Sequence, residues 1–101
     1  MEIQTAVLND RATVRLKGRF QFDVHREFRT AYEPYIADPA VRTVVLDFSS
    51  VDYLDSSALG MLLLLREKLG HVGKEVELTG THGMVKQVLE IANFARLFRM
   101  A

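Results

Sequence analysis

The chain has 101 residues, 49% of them hydrophobic, and its 13 basic side chains balance 13 acidic ones. That length fits one domain, residues 1–101, with a core of its own, and the composition excludes a disordered chain. The even charge argues against nucleic acid or an anionic membrane as partner, and the lack of cysteine removes disulfides, thiol nucleophiles and cysteine metal sites.

Met1-Glu2-Ile3-Gln4 has no basic run ahead of an apolar one, so no secretion signal is expected. The longest apolar run is Met61 to Leu65, far short of the roughly 18 residues a spanning helix needs. A cytoplasmic chain without membrane insertion is expected. Ile3 to Leu8 and Thr13 to Lys17 read as strands of a hairpin turned at Asn9-Asp10-Arg11, with Gly18 ending the second. Asp23 can cap a helix that carries Val24, Phe28, Ala31, Tyr32 and Tyr35 at helical spacing. Pro34 disturbs its last turn, and Asp38-Pro39 marks a loop.

Val41 to Phe48 is nearly all apolar and β-branched, the pattern of a strand covered on both faces. Asp52 then falls in a loop beyond it. A helix should run from the Ser56 region to about Leu69, with Gly70 and Gly73 at its exit. Glu75 to Thr79 is a short strand, and Gly80 gives a turn. Met84, Val88, Ile91 and Ala95 place an apolar stripe on a last helix, with Asn93 as a breaker. Phe94 to Met100 fits a short helix or a closing strand equally well. The order after the hairpin, strand–helix repeated, argues for an α/β fold: a mixed sheet of four to five strands with helices packed on it.

The chemistry concentrates in Leu54-Asp55-Ser56-Ser57-Ala58-Leu59-Gly60. Asp55 or Ser56 would cap the helix by accepting an orphan N–H. Capping needs one residue, and here three polar residues stand in a row at the carboxyl end of a strand, where open α/β sheets gather function. A hydroxyl at a helix start is also a plausible phosphate acceptor, because the dipole and free N–H groups favour an anion there. Residue types do not choose between Ser56 and Ser57. On the helix, Ala58, Leu62, Leu65 and Leu69 form one stripe with Met61 beside it, which leaves Leu63 and Leu64 outside. Leu63 and Leu64 permit a docking patch or a homodimer without requiring either.

An enzyme is not expected. The serines lack a Gly-x-Ser-x-Gly elbow, and His25, His71 and His82 are scattered, so neither a base nor a metal site emerges. No glycine pattern suggests a nucleotide cofactor.

With these residues in view, the chain resembles the STAS domains, and in particular the bacterial anti-sigma-factor antagonists. The resemblance spans almost the whole chain, and its specific part is VVLDFSSVDYLDSSALGMLLLL, residues 44–65: apolar strand, short loop, Asp-Ser-Ser and amphipathic helix. It implies a partner switch with no catalysis and no cofactor of its own. The unphosphorylated form would bind an anti-sigma factor with serine-kinase activity, or a related switch kinase. Phosphorylation would release that partner, and a PP2C-type phosphatase would reset it. Carried over, Asp55 is the motif acid and Ser56 the phosphoacceptor, while Ser57, Ala58 and Gly60 shape the site. Phe20, Phe22, Leu59 and Leu63 are candidates for the docking surface. Two departures stand out: Ala58 replaces the family's usual glycine, and Gly18-Arg19-Phe20-Gln21 replaces Gly-Glu-Leu-Asp. The second departure keeps open a STAS-type accessory subunit of a transporter or signalling complex, which would bind without phosphorylation.

Overall fold

A computed structural model describes residues 1–101. Five strands form one sheet: β1 (Glu2–Leu8), β2 (Arg11–Phe20), β3 (Thr43–Leu54), β4 (Glu75–Thr79) and β5 (Arg99–Met100). They lie in sequence order across the sheet. β1 runs antiparallel to β2, and all other neighbours are parallel. The crossovers are helices α1 (His25–Ala37), α2 (Ser56–His71) and α3 (Gly83–Ile91).

Alternation decides which sheet face is the core. Ala12, Val14, Leu16 and Phe20 of β2 join Val44, Leu46, Phe48 and Val51 of β3, and all eight are fully buried. They form one cluster with Ala58, Leu62, Leu65 and Leu69 of α2 and with Val85 and Leu89 of α3. Each buried Val, Leu or Phe among them contributes about 1.5–3 kcal/mol. The other face carries no helix. There Arg11 of β2 reaches Glu77 of β4 across β3, and Arg15 pairs with Asp47 at 3.4 Å. The expectation that β3 is covered on both faces is therefore corrected. Val45, only 6% exposed, lies on the helix-free face, in the row that the Arg11–Glu77 pair crosses.

Both long strands outrun the sequence expectation. β2 continues past Gly18 because Arg19 and Phe20 pair with Tyr53 and Leu54. β3 continues past Phe48 through two bulges. Phe48 and Ser49 together oppose Leu16, and Asp52 has no partner on β2. Asp52 thus belongs to β3 and not to a loop. A bulge adds a residue, bends the strand and increases its twist.

The helix ends also differ in detail. Asp23 does not cap α1: it lies in a 3-10 turn (Phe22–Val24) that feeds directly into the helix. Pro34 sits inside α1, which nonetheless runs on to Ala37. Lys74 Nζ donates to the Tyr35 and Asp38 carbonyls at 2.6 Å each and so satisfies acceptors at that end. On α3 the buried face is Val85 and Leu89, with Val88 and Ala92 beside it, whereas Met84 and Ile91 are exposed and Ala95 lies beyond the helix. Asn93, at φ 60°, ends this helix in the left-handed region. The segment from Phe94 is both things at once: a 3-10 turn (Phe94–Arg96) and then β5.

Candidate functional site

Two chain segments meet at the carboxyl ends of β2 and β3: the β2–α1 turn and the β3–α2 junction. Asp55 joins them. Its backbone is extended, and its Oδ1 accepts from Ala58 N at 2.9 Å, which makes it the N-cap of α2. Its Oδ2 accepts from Phe22 N at 3.2 Å, and its own N–H donates to Phe20 O at 3.2 Å. One side chain therefore starts the helix and holds the neighbouring turn.

With Asp55 in the capping role, Ser56 occupies the first helical position, exposed. Ser57 is half-buried, and Ala58 is fully buried under the first turn. The Ala58 methyl group belongs to the hydrophobic core. Ser56, Gly60, Leu63 and Leu64 follow helical spacing along one exposed flank of α2. Nothing lies within 4 Å of where a Gly60 side chain would begin, so this glycine leaves the flank flat beside the serine. Leu63 and Leu64 are 41% and 37% exposed, as their place outside the stripe requires.

The two phenylalanines part company. Phe22 is 73% exposed in the 3-10 turn tied to Asp55. Phe20 is fully buried, 5.0 Å from the Phe28 ring and 6.1 Å from Phe48 between centroids. Phe20 is thus a core residue and cannot be a docking contact, a correction to the sequence reading. Leu59 is half-buried against the core and presents only part of its side chain.

Sequence reasoning missed two features along β3. The guanidinium of Arg19 lies 3.9 Å over the Tyr53 ring, a cation–π contact within the chain. The second feature is a knot between β3 and the β4–α3 loop. Asp47 Oδ1 accepts from the Ser49 amide at 2.9 Å and from its hydroxyl at 2.6 Å, and His82 Nε2 donates to Ser49 O at 3.1 Å. Gly80, at φ 72°, closes over it. A Cβ there would lie 2.8 Å from Ser49 N and 2.9 Å from Asp47 Oδ1. A glycine after a short strand was the only signal in the sequence.

The knot and the cap each carry an expected result. Gly80→Ala should cost about 2–4 kcal/mol, combining left-handed strain with overpacking; urea denaturation of the two proteins measures it. Burial alone would raise the Asp47 pKa, but the two Ser49 bonds and Arg15 outweigh it and hold the carboxyl below its ordinary value of 3.8. A depressed carboxylate stabilises the fold above its unfolded pKa, and that contribution is lost as pH falls through the folded one. Stability should therefore fall below about pH 4. Asp47→Asn should flatten that acid limb in thermal melts taken against pH. For Asp55→Ala we expect about 1–2 kcal/mol of destabilisation from loss of the cap, again by urea denaturation. Amide exchange at Phe22 should accelerate in the same variant.

No group of His, Asp or Glu side chains is arranged to hold a metal ion, and no helix is long and apolar enough to cross a membrane. A family model described as Mlab, STAS domain matches residues 3–99. The chain belongs to the STAS-domain family. A STAS-domain containing protein of Pseudomonas aeruginosa is 43% identical over 89 residues, 88% of this STAS domain and 86% of that protein. BtrV of Bordetella bronchiseptica, assigned provisionally by its name to the anti-sigma factor antagonists, is 36% identical over 64 residues. That match covers 63% of this domain and 55% of BtrV. Among solved structures, the anti-sigma factor antagonist SpoIIAA in its unphosphorylated form superposes with a TM-score of 0.76 at 21% identity, covering 99% of this domain and 87% of that chain. Its phosphorylated form gives 0.75 over the same share of this domain and 91% of that chain. This STAS domain therefore has the fold of the anti-sigma factor antagonists, with the Asp55–Ser56–Ser57 element at the start of α2.

Proposed function

We propose that this STAS domain is an anti-sigma-factor antagonist whose docking is controlled by phosphorylation of Ser56. The observation that carries the reading is the division of labour at the α2 start. Asp55 takes the cap, so the exposed Ser56 hydroxyl is not needed to begin the helix. It stands instead at the head of a flank that descends through Gly60 to Leu63 and Leu64, with exposed Phe22 on the adjoining turn.

An apolar flank and an aromatic anchor suit a protein partner. By the resemblance, that partner is an anti-sigma factor with serine-kinase activity, or a related switch kinase, with a PP2C-type phosphatase restoring the free hydroxyl in the cytoplasm. A phosphate adds about −1.5 to −2 charges beside the Asp55 carboxylate. The N-terminus of α2 accommodates that charge, so the fold need not change. A partner seated on the flank would meet it directly.

Capture from native cells on wild-type, Ser56→Ala and Ser56→Asp proteins tests the reading. The expected result is an ATP-binding serine kinase retained by wild type and Ser56→Ala and reduced on Ser56→Asp. Equal retention on all three would contradict phosphorylation control.

A further inference from the structure

β1 is an outer strand, hydrogen-bonded on one side only. Exposed sheet edges are normally blunted by proline, lysine, a bulge or a covering segment. β1 has none of these within its span. Its seven residues, Glu-Ile-Gln-Thr-Ala-Val-Leu, pair with β2 without a break from Glu2↔Lys17 to Leu8↔Arg11. Six of the seven are exposed, including Val7 at 49% and Leu8 at 76%.

The geometry points to a second copy of this chain as the occupant: we propose a two-fold dimer in which the β1 strands pair antiparallel about Thr5, giving one continuous ten-stranded sheet. The strand is self-complementary in that register. Ile3 faces Val7 of the other copy twice, on the helix side of the sheet. Gln4 faces Ala6, and Glu2, the strand's only charge, faces Leu8. The two Glu2 carboxylates stay about 20 Å apart, beyond the Debye length at physiological salt.

The helix beneath agrees with the strand. α1 returns from the end of β2 and so runs alongside β1 in the same direction. A groove of about 590 Å³ separates them, lined in part by Ile3, Thr5, Thr30, Ala31, Pro34 and Tyr35. The two-fold axis through Thr5 sets the two α1 helices antiparallel. Arg26, Thr30 and Glu33 lie at helical spacing on the exposed flank. Antiparallel placement brings the Arg26 end of one helix to the Glu33 end of the other, where Glu33 is also paired with Arg29 of its own helix at 3.4 Å. A net charge of zero adds no repulsion between copies.

The interface is small, which fits a dissociation constant of about 1–100 μM. Sedimentation equilibrium of the full chain from roughly 1 μM to 1 mM tests it. Wild type should pass from monomer to dimer. Thr5→Lys and Thr5→Glu each place like charges on the axis and should weaken self-association about tenfold or more. Their equimolar mixture should dimerise again, which misfolding would not allow. Slower amide exchange along β1 at high concentration gives an independent readout on the wild type. A monomer throughout the range would overturn the proposal. A dimer indifferent to Thr5→Lys but lost in Leu63→Glu would also overturn it, by placing the interface on α2.

Discussion

Phe20→Ala is expected to destabilise the domain by about 3–5 kcal/mol, whereas Phe22→Ala should change stability by no more than about 0.5 kcal/mol. Phe20 fills the space between β2, α1 and β3, with the Phe28 and Phe48 rings against it. Its removal leaves a cavity that three surrounding elements cannot close. Phe22, two residues on, is 73% exposed and held only through its backbone by Asp55. Its side chain contributes nothing to the core, so its loss should appear in partner binding, by about 1–2 kcal/mol as for an aromatic anchor. Thermal and urea melts read the first effect, and titration calorimetry with the captured partner reads the second. Equal stability losses in the two variants would contradict the division between core and docking residue.

Phosphorylation of Ser56 should weaken that same binding roughly 5- to 700-fold. Each like-charge contact near 4 Å costs about 1 kcal/mol in bulk water and about 4 kcal/mol at an effective dielectric of 20, and 1.4 kcal/mol is a factor of ten. The effect should shrink with added salt if the contact is solvent-exposed. Ser56→Ala should bind as wild type does. Ser56→Asp brings about one charge where phosphate brings about two, so it should fall between them. The melting temperature of the phosphorylated domain should stay close to that of the free one, because the new charge lies at the positive end of α2. Titration with stoichiometrically phosphorylated protein measures this, and an unchanged dissociation constant would contradict an electrostatic switch.

Much of the fold was legible because long periodic segments leave little choice. The α2 stripe of Ala58, Met61, Leu62, Leu65 and Leu69 is buried as its spacing requires. α3 shows where that logic fails. In a helix of nine residues, the series Met84, Val88, Ile91 fits helical spacing as well as Val85, Val88, Leu89 does. Only the packing on β3 and the stop at Asn93 choose between them. β3 was cut short because Ser49, Ser50 and Asp52 interrupt an apolar run, yet two bulges carry the strand through them. Bulges leave no clear mark in composition.

The site was legible in position and not in detail. The motif placed a polar cluster at the start of α2, where the structure has it. Asp55 and Ser56 are both good caps, so residue type could not assign the role; the extended backbone of Asp55 and its bond to Ala58 N do. Its second bond, to Phe22 N, links residues 33 apart and has no local signature. The Gly80–Ser49–Asp47–His82 knot was invisible for the same reason. Phe20 and Phe22 look alike on paper, and only the end of β2 between them separates core from surface.

The most direct test of the central claim is phosphosite mapping by mass spectrometry on the protein isolated from its native cells across growth conditions. A single phosphate on Ser56, removed by a PP2C-type phosphatase, is the predicted result. Its absence from Ser56 under every condition would contradict the switch and leave Asp55-Ser56-Ser57 as the start of a helix.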